Sequence, residues 1–163
     1  MTTVKRTPGP GAERIRLLLA GVTDKVGKVG FFPSSKYEDG TPVAYVAAIQ
    51  EFGSPAQGIP PRSFMRSTIA EKSPEWRAIA DQGSRAMLNG NATGEQVLEA
   101  IGLKAAGDIR ETISKLTTPA LKPATVAARL SKRADKQTVG LLTKPLVDTG
   151  TLLNAVSSAV EDK

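Results

Sequence analysis

Val97, Ile101, Ala105, Ile109 and Ile113 recur every four residues, with Leu98 and Leu116 beside them. A helix is the structure that brings side chains at this spacing onto one face. The stretch opens with Thr93-Gly94-Glu95-Gln96. This is a capping box, in which the threonine and glutamine side chains each accept from the other residue's backbone N–H. Together they predict a long central helix over about 93–116. Its small residues Ala105, Ala106 and Gly107 allow another element to approach closely.

The flanking chain predicts what packs around that helix. Residues 26–32, V-G-K-V-G-F-F, read as a strand, with Gly27 and Gly30 marking a bulge or a close backbone approach. Residues 155–161, A-V-S-S-A-V-E, alternate as a closing strand that pairs with it. A short helix with an apolar side is expected over 12–21, from Ile15, Leu17, Leu18 and Leu19. Thr41-Pro42 reads as a helix start, a capping hydroxyl followed by proline at the first helical position. Val43, Val46, Ile49 and Phe52 follow at helical spacing, and Gly53 stands where a C-terminal glycine cap belongs. Phe64, Met65, Thr68 and Ile69 open another helical stretch, restarted at Ser73-Pro74. Trp76, Ile79, Ala80, Gly83 and Met87 form its continuing stripe, which ends at Asn89-Gly90. Pro123 starts a short helix over 123–132, and Asp148 is read as the cap of a last one over 149–154.

The fold class is therefore α+β, several helices on a small antiparallel sheet. A chain of 163 residues fits one domain. Residues 1–11, with Pro8, Gly9, Pro10 and Gly11, read as a flexible N-terminal arm, and 12–163 as a single domain with an extended basic loop at about 117–145. Apolar residues make up 40% and aromatics only 4%, so the core is aliphatic and part of the stability is expected from a partner subunit.

Composition narrows the chemistry. Without cysteine there is no disulfide framework, thiol nucleophile or thiolate metal site. Without histidine the usual general base and imidazole ligands are missing. The net charge of +6 favours an anionic partner. No apolar run approaches the ~20 residues of a membrane span, and the N-terminus lacks the apolar core of a signal peptide, so a protein made in the cytoplasm is expected.

Four features deserve weighing as sites. Leu146-Val147-Asp148-Thr149-Gly150 looks like the active-site turn of an aspartic protease, where two aspartates ~3 Å apart share a proton. Only 13 residues follow Gly150, too few for that fold, so Asp148 is read as a structural helix cap. Glu95, Glu99, Asp108 and Glu111 fall mainly opposite the apolar stripe, as on a solvated helix face. Lys122, Arg129, Lys132, Arg133 and Lys136 form a basic segment that meets either solvent or an anion, DNA phosphate or an acidic partner. No aromatic residue interleaves with it for base stacking. Trp76, on an apolar stripe, is read as core rather than interface anchor. No glycine-rich phosphate loop is present, and no catalytic, cofactor or metal residue is assigned.

The stretch Glu51 to Arg66, E-F-G-S-P-A-Q-G-I-P-P-R-S-F-M-R, carries a resemblance. A helix ending in E-F-G, followed by I-P-x-R-x-F-[ML]-R leading into a helix, resembles the neck and tail-completion proteins of long-tailed double-stranded-DNA phages. These are also described as minor tail components or virion morphogenesis proteins. Three later stretches agree in order: G-L-K-A-A-G-D-I-R-E-T-I, K-P-A-T-V-A-A-R and P-L-V-D-T-G-T-L-L-N-A-V. The resemblance spans about 41–160. It implies a non-enzymatic virion subunit at the head–tail junction, made in the host bacterial cytoplasm, that joins or completes the tail. It also implies a homo-oligomeric ring, a hexamer, beside head-closure, tail-terminator or tail-tube proteins, without cofactor or membrane. A small basic nucleic-acid-binding protein acting through 122–136 is the rival reading.

The residues of the stretch fit a docking role. Proline fixes φ and restricts the residue before it, so Ile59-Pro60-Pro61 presets the loop. Such preorganisation lowers the entropy lost on docking. Phe52 and Phe64 are expected to bury on either side, with Gly53 turning the chain. Arg62 and Arg66 either reach carboxylates of a neighbour or brace the loop. These eight residues, Phe52, Gly53, Ile59, Pro60, Pro61, Arg62, Phe64 and Arg66, are the candidate subunit or partner interface.

Overall fold

The computed structural model describes residues 9–13, 15–16, 24–132 and 143–163. The elements in chain order are β1 (Lys25–Phe31), α1 (Val43–Phe52), α2 (Met65–Leu88), α3 (Gly94–Lys115), α4 (Pro123–Lys132), α5 (Thr151–Asn154) and β2 (Val156–Asp162). This is the expected α+β arrangement. β1 and β2 form a two-stranded antiparallel sheet, with Lys25 opposite Asp162 and Phe31 opposite Val156. Residues 1–8 of the arm expected over 1–11, most of the helix expected over 12–21, and residues 133–142 of the basic loop lie outside the described residues; Pro10 and Gly11, read as arm, are helical instead. Residues 10–13 and 15–16 are helical.

α3 is the spine. Its capping box is formed, with the Gln96 amide donating to Thr93 Oγ1 at 3.2 Å and the Thr93 amide donating to Gln96 Oε1 at 2.9 Å. α2 packs along one side of it and the ribbon along the other. Ala106, Ile109 and Ile113 bury with Val43, Ala47, Phe64, Leu146, Leu152 and Val156. Phe31 meets Phe64 edge-on, ring centroids 6.0 Å apart.

Close approach relies on glycines other than Gly107, where a Cβ would meet open space. A Cβ on Gly102 would lie 2.9 Å from Ser158 Cβ in β2, and one on Gly83 would lie 2.5 Å from Val97 Cγ1, between α2 and α3. Valine is branched at Cβ and has no rotamer that clears both methyls. Gly83→Ala is expected to lose about 1–3 kcal/mol of stability through overpacking, checked by urea unfolding. An unchanged midpoint would show that α2 and α3 separate freely.

Four local expectations are corrected. The stretch after Phe64 does not restart at Ser73-Pro74; α2 runs unbroken through Pro74. Ser73 Oγ bonds back to the Ile69 carbonyl inside the helix instead of capping a new one. Proline forgoes one ladder bond, on an exposed turn, and packing of the rest of α2 on α3 outweighs that loss. Thr41 is not the cap of α1, because Pro42 occupies that position without a side-chain bond. Gly150, with φ 80°, occupies the cap position of α5, so Asp148 is not its cap. Within α1 the inner row is Val43, Ala47 and Glu51, whereas Phe52 is 65% exposed.

Candidate functional site

The Glu51–Arg66 stretch folds around a buried carboxylate. Phe64, at the cap position of α2, has no side chain able to accept from the helix's first amides. Glu51, only 4% exposed, supplies the acceptors from the end of α1. Its Oε2 accepts from the Phe64 and Met65 amides at 2.8 and 2.9 Å. Its Oε1 accepts from the Arg66 amide at 3.2 Å, Arg66 Nε at 2.9 Å and Ser63 Oγ at 2.7 Å. An anion at a helix N-terminus satisfies orphan N–H groups and complements the helix dipole. Burial pushes the Glu51 carboxyl up. The Arg66 guanidinium, the Met65 amide and the Ser63 hydroxyl outweigh it and hold the group below the usual glutamate range.

Arg62 is the second brace, again 4% exposed. Nη1 donates to Gln50 Oε1 at 2.9 Å, Nε to the Pro119 carbonyl at 2.9 Å, and Nη2 to the Ala120 carbonyl at 3.2 Å. Its own amide donates to the Gln50 carbonyl at 2.6 Å. The planar fork thus ties α1 to the segment after α3. Burial, and then the nearby positive charge of Arg129, lower the Arg62 pKa.

Gly53 makes the turn between these braces. With φ 77° it caps α1, and a Cβ there would fall 2.8 Å from Pro61 N and 2.9 Å from the Ile59 carbonyl. Ser54 and Ile59 exchange two backbone bonds of 2.9 Å, closing the loop on itself. Ile59 and Pro60 are half-buried and Pro61 is exposed. Phe64 is buried, as expected; Phe52 is not, because its ring lies on the surface beneath the Arg66 guanidinium, 4.8 Å from it. Of the eight candidate interface residues, Phe52, Pro61 and Arg66 are therefore exposed, while Arg62 and Phe64 point inward.

The basic segment is drawn inward at Arg129. Its Nη1 donates to the Lys144 and Val147 carbonyls at 2.9 and 3.3 Å, and its Nε lies 3.4 Å from Asp148 Oδ2. Arg129 thus holds the turn that carries D-T-G, and Asp148 faces a cation there. Lys132 ends α4, whereas Arg133 and Lys136 lie outside the described residues. A groove of about 550 Å³ opens beside this turn, between Tyr37, Gln50 and Leu152. Among the described residues, no cluster of acidic side chains could hold a metal ion, and no helix is long and apolar enough to cross a membrane.

Two charged or aromatic groups sit differently from the reading of α3 as a helix with a solvated acidic face. Glu95, Glu99 and Glu111 are exposed, but Asp108 is 5% exposed and accepts from Trp76 Nε1 at 2.8 Å and from Lys104. Burial raises the Asp108 carboxyl; the Lys104 and Trp76 bonds reverse this and hold it low. Trp76 therefore links α2 to α3 through a polar bond as well as by packing.

α1 presents a further surface. Glu51 and Gln50 bond inward, while Ala44, Tyr45, Ala48 and Phe52 face out, Tyr45 at 60% exposure. The helix is apolar on both sides: Val43 and Ala47 enter the core beside the Glu51 brace, and a second apolar row lies on the outside. A helix apolar on its outer side normally meets a cover. The fold and site thus define an α+β chain with internal charge braces and one apolar helix face. No family model matches the chain, and neither does any curated protein or solved structure.

Proposed function

We propose that the chain is a structural subunit of a phage virion, of the neck or tail-completion type, which assembles as a ring at the head–tail junction. The observation that carries this reading is the exposed apolar row of α1. This row of Tyr45, Ala48 and Phe52 has the character of an interface core, aromatic and uncharged, with Arg66 at its edge. The stretches that carry the family resemblance supply its supports: Glu51 and Arg62 hold α1, and Arg129 holds the D-T-G turn. Bonds spent in this way suit a rigid part better than a reactive centre. In the proposed virion the α1 face seats on an adjoining head-closure, tail-terminator or tail-tube protein. Engagement of Arg129 with carbonyls removes one of the cations on which a nucleic-acid-binding role would depend.

The test pairs imaging with a variant. Cryo-EM reconstruction of the neck should place rings of this chain there. Tyr45→Asp with Phe52→Asp should leave the chain folded, at a cost of about 1 kcal/mol for the lost contact of Arg66 with the Phe52 ring, and abolish incorporation into particles. Normal, infectious particles formed without the protein would overturn the reading.

A further inference from the structure

Among the described residues, the two-stranded sheet leaves one edge of each strand open. Among the described residues no third strand pairs with β1 or β2, and Arg110 reaches only the Val156 carbonyl at the start of β2. α3 covers one face of the ribbon, where Gly27 meets Leu98 and Gly102 meets Ser158, but a helix on a face leaves the edges uncapped. Open edges present backbone N–H and C=O groups ready to template another strand.

The charges on the two strands differ in sign. β1, K-V-G-K-V-G-F, carries Lys25 and Lys28 and no acid; β2, V-S-S-A-V-E-D, carries Glu161 and Asp162 and no base. Their match is realised within the chain, Lys25 with Asp162 at 2.9 Å and Lys28 with Glu161 at 2.6 Å. Pairing β1 with a second β1 would set lysines beside lysines, and pairing β2 with β2 would crowd acids. Directly opposed like charges destabilise strand pairs. Pairing β1 of one copy with β2 of the next is the combination that repeats the internal match.

We infer that copies of this chain join edge to edge, the cationic β1 of one extending the sheet at the anionic β2 of the next. Each lysine then lies between its own acid and a neighbour's. The contact is heterologous, with two different surfaces per copy, so repetition produces a ring when the rotation closes. This rests on the reading of the chain as a ring subunit and supplies the contact between its copies, separate from the α1 face.

The test uses the full chain and two variants with the strand charges reversed: Lys25→Glu with Lys28→Glu, and Glu161→Lys with Asp162→Lys; Lys25 is half-buried and also faces Glu95 of α3, 3.7 Å away. Each variant alone should associate at least roughly tenfold more weakly than the unaltered chain, since like charges then meet at every junction. Mixed in equal amounts, they should restore rings of the original mass containing both variants, as read by native mass spectrometry. Hydrogen exchange of the unaltered chain gives a readout independent of either variant's folding: amides along β1 and β2 should gain protection as dilute protein is concentrated into rings. Rings that persist in both variants would overturn the edge contact while leaving the ring reading intact. A mixture that stops at a heterodimer would overturn the head-to-tail arrangement. Protection of β1 that arises only in particles, and not in isolated rings, would assign the edge to another protein and overturn the inference. An unaltered chain that stays monomeric at every concentration would sink both readings.

Discussion

Glu51→Ala is expected to lower the unfolding free energy by about 3–4 kcal/mol, the range for removing one partner of a buried, hydrogen-bonded charge system. The substitution strips acceptors from the Phe64, Met65 and Arg66 amides and from Ser63 Oγ, and leaves Arg66 without its carboxylate. Local side chains cannot replace them, since Phe64 occupies the cap position of α2. Glu51→Gln keeps one acceptor oxygen but turns an NH2 toward helix donors, so about 2 kcal/mol is expected. Urea unfolding followed by circular dichroism measures both, and a loss below about 1 kcal/mol for Glu51→Ala would mean that water replaces the carboxylate.

The same carboxylate sets a pH dependence. Its folded-state pKa lies below the ordinary 4.5, so its stabilisation is fully present above about 4.5 and is lost as pH falls through the lower folded value. Asp108 acts in the same direction from 3.8 downward. Stability should therefore decline on acidification below about pH 4.5, and Glu51→Gln should flatten the first part of that decline.

The elements were more legible in the sequence than the braces. α3 could be read because its cap and its four-residue stripe agree, and local and long-range preferences coincide there. The strand pair could be read because both segments are short, rich in valine and bounded by turns. α1 could be placed but not oriented. Val43, Val46, Ile49 and Phe52 make a sound apolar row, yet the buried row is Val43, Ala47 and Glu51. Hydrophobicity alone puts a glutamate outside. It goes inside only because a helix thirteen residues later begins without a cap. A clue was present: a single carboxylate ending an apolar helix, followed by a loop into a helix headed by phenylalanine. Asp108 was misplaced for a similar reason, since the indole N–H that draws it inward comes from another helix. Pro74 misled in the opposite way: its signal for a break is local, and contact of α2 with α3 overrides it.

The other large effect is expected at Arg62. Its charge is buried and, among the described residues, it bonds no carboxylate; the Gln50 side chain and the Pro119 and Ala120 carbonyls take its N–H groups. Arg62→Met keeps much of the side chain's bulk but leaves these three acceptors unpaired, at an expected cost of about 3 kcal/mol. Arg62→Lys should recover less than half of that, because one ammonium lacks the planar fork that spans acceptors on α1 and on the segment after α3. The contrast between the two variants tests the geometry. A brace that worked through charge alone would be restored by lysine, and one that worked through packing alone would be restored by methionine. Under the proposed virion role the consequence should extend to assembly, because the face bearing Tyr45 and Phe52 belongs to the helix that Arg62 anchors through Gln50. Arg62→Lys, folded but loosely tied, is therefore expected to enter particles poorly at temperatures where circular dichroism still reports native helix. Particle incorporation equal to that of the unaltered chain, alongside the measured stability loss, would show that α1 holds its orientation without this arginine.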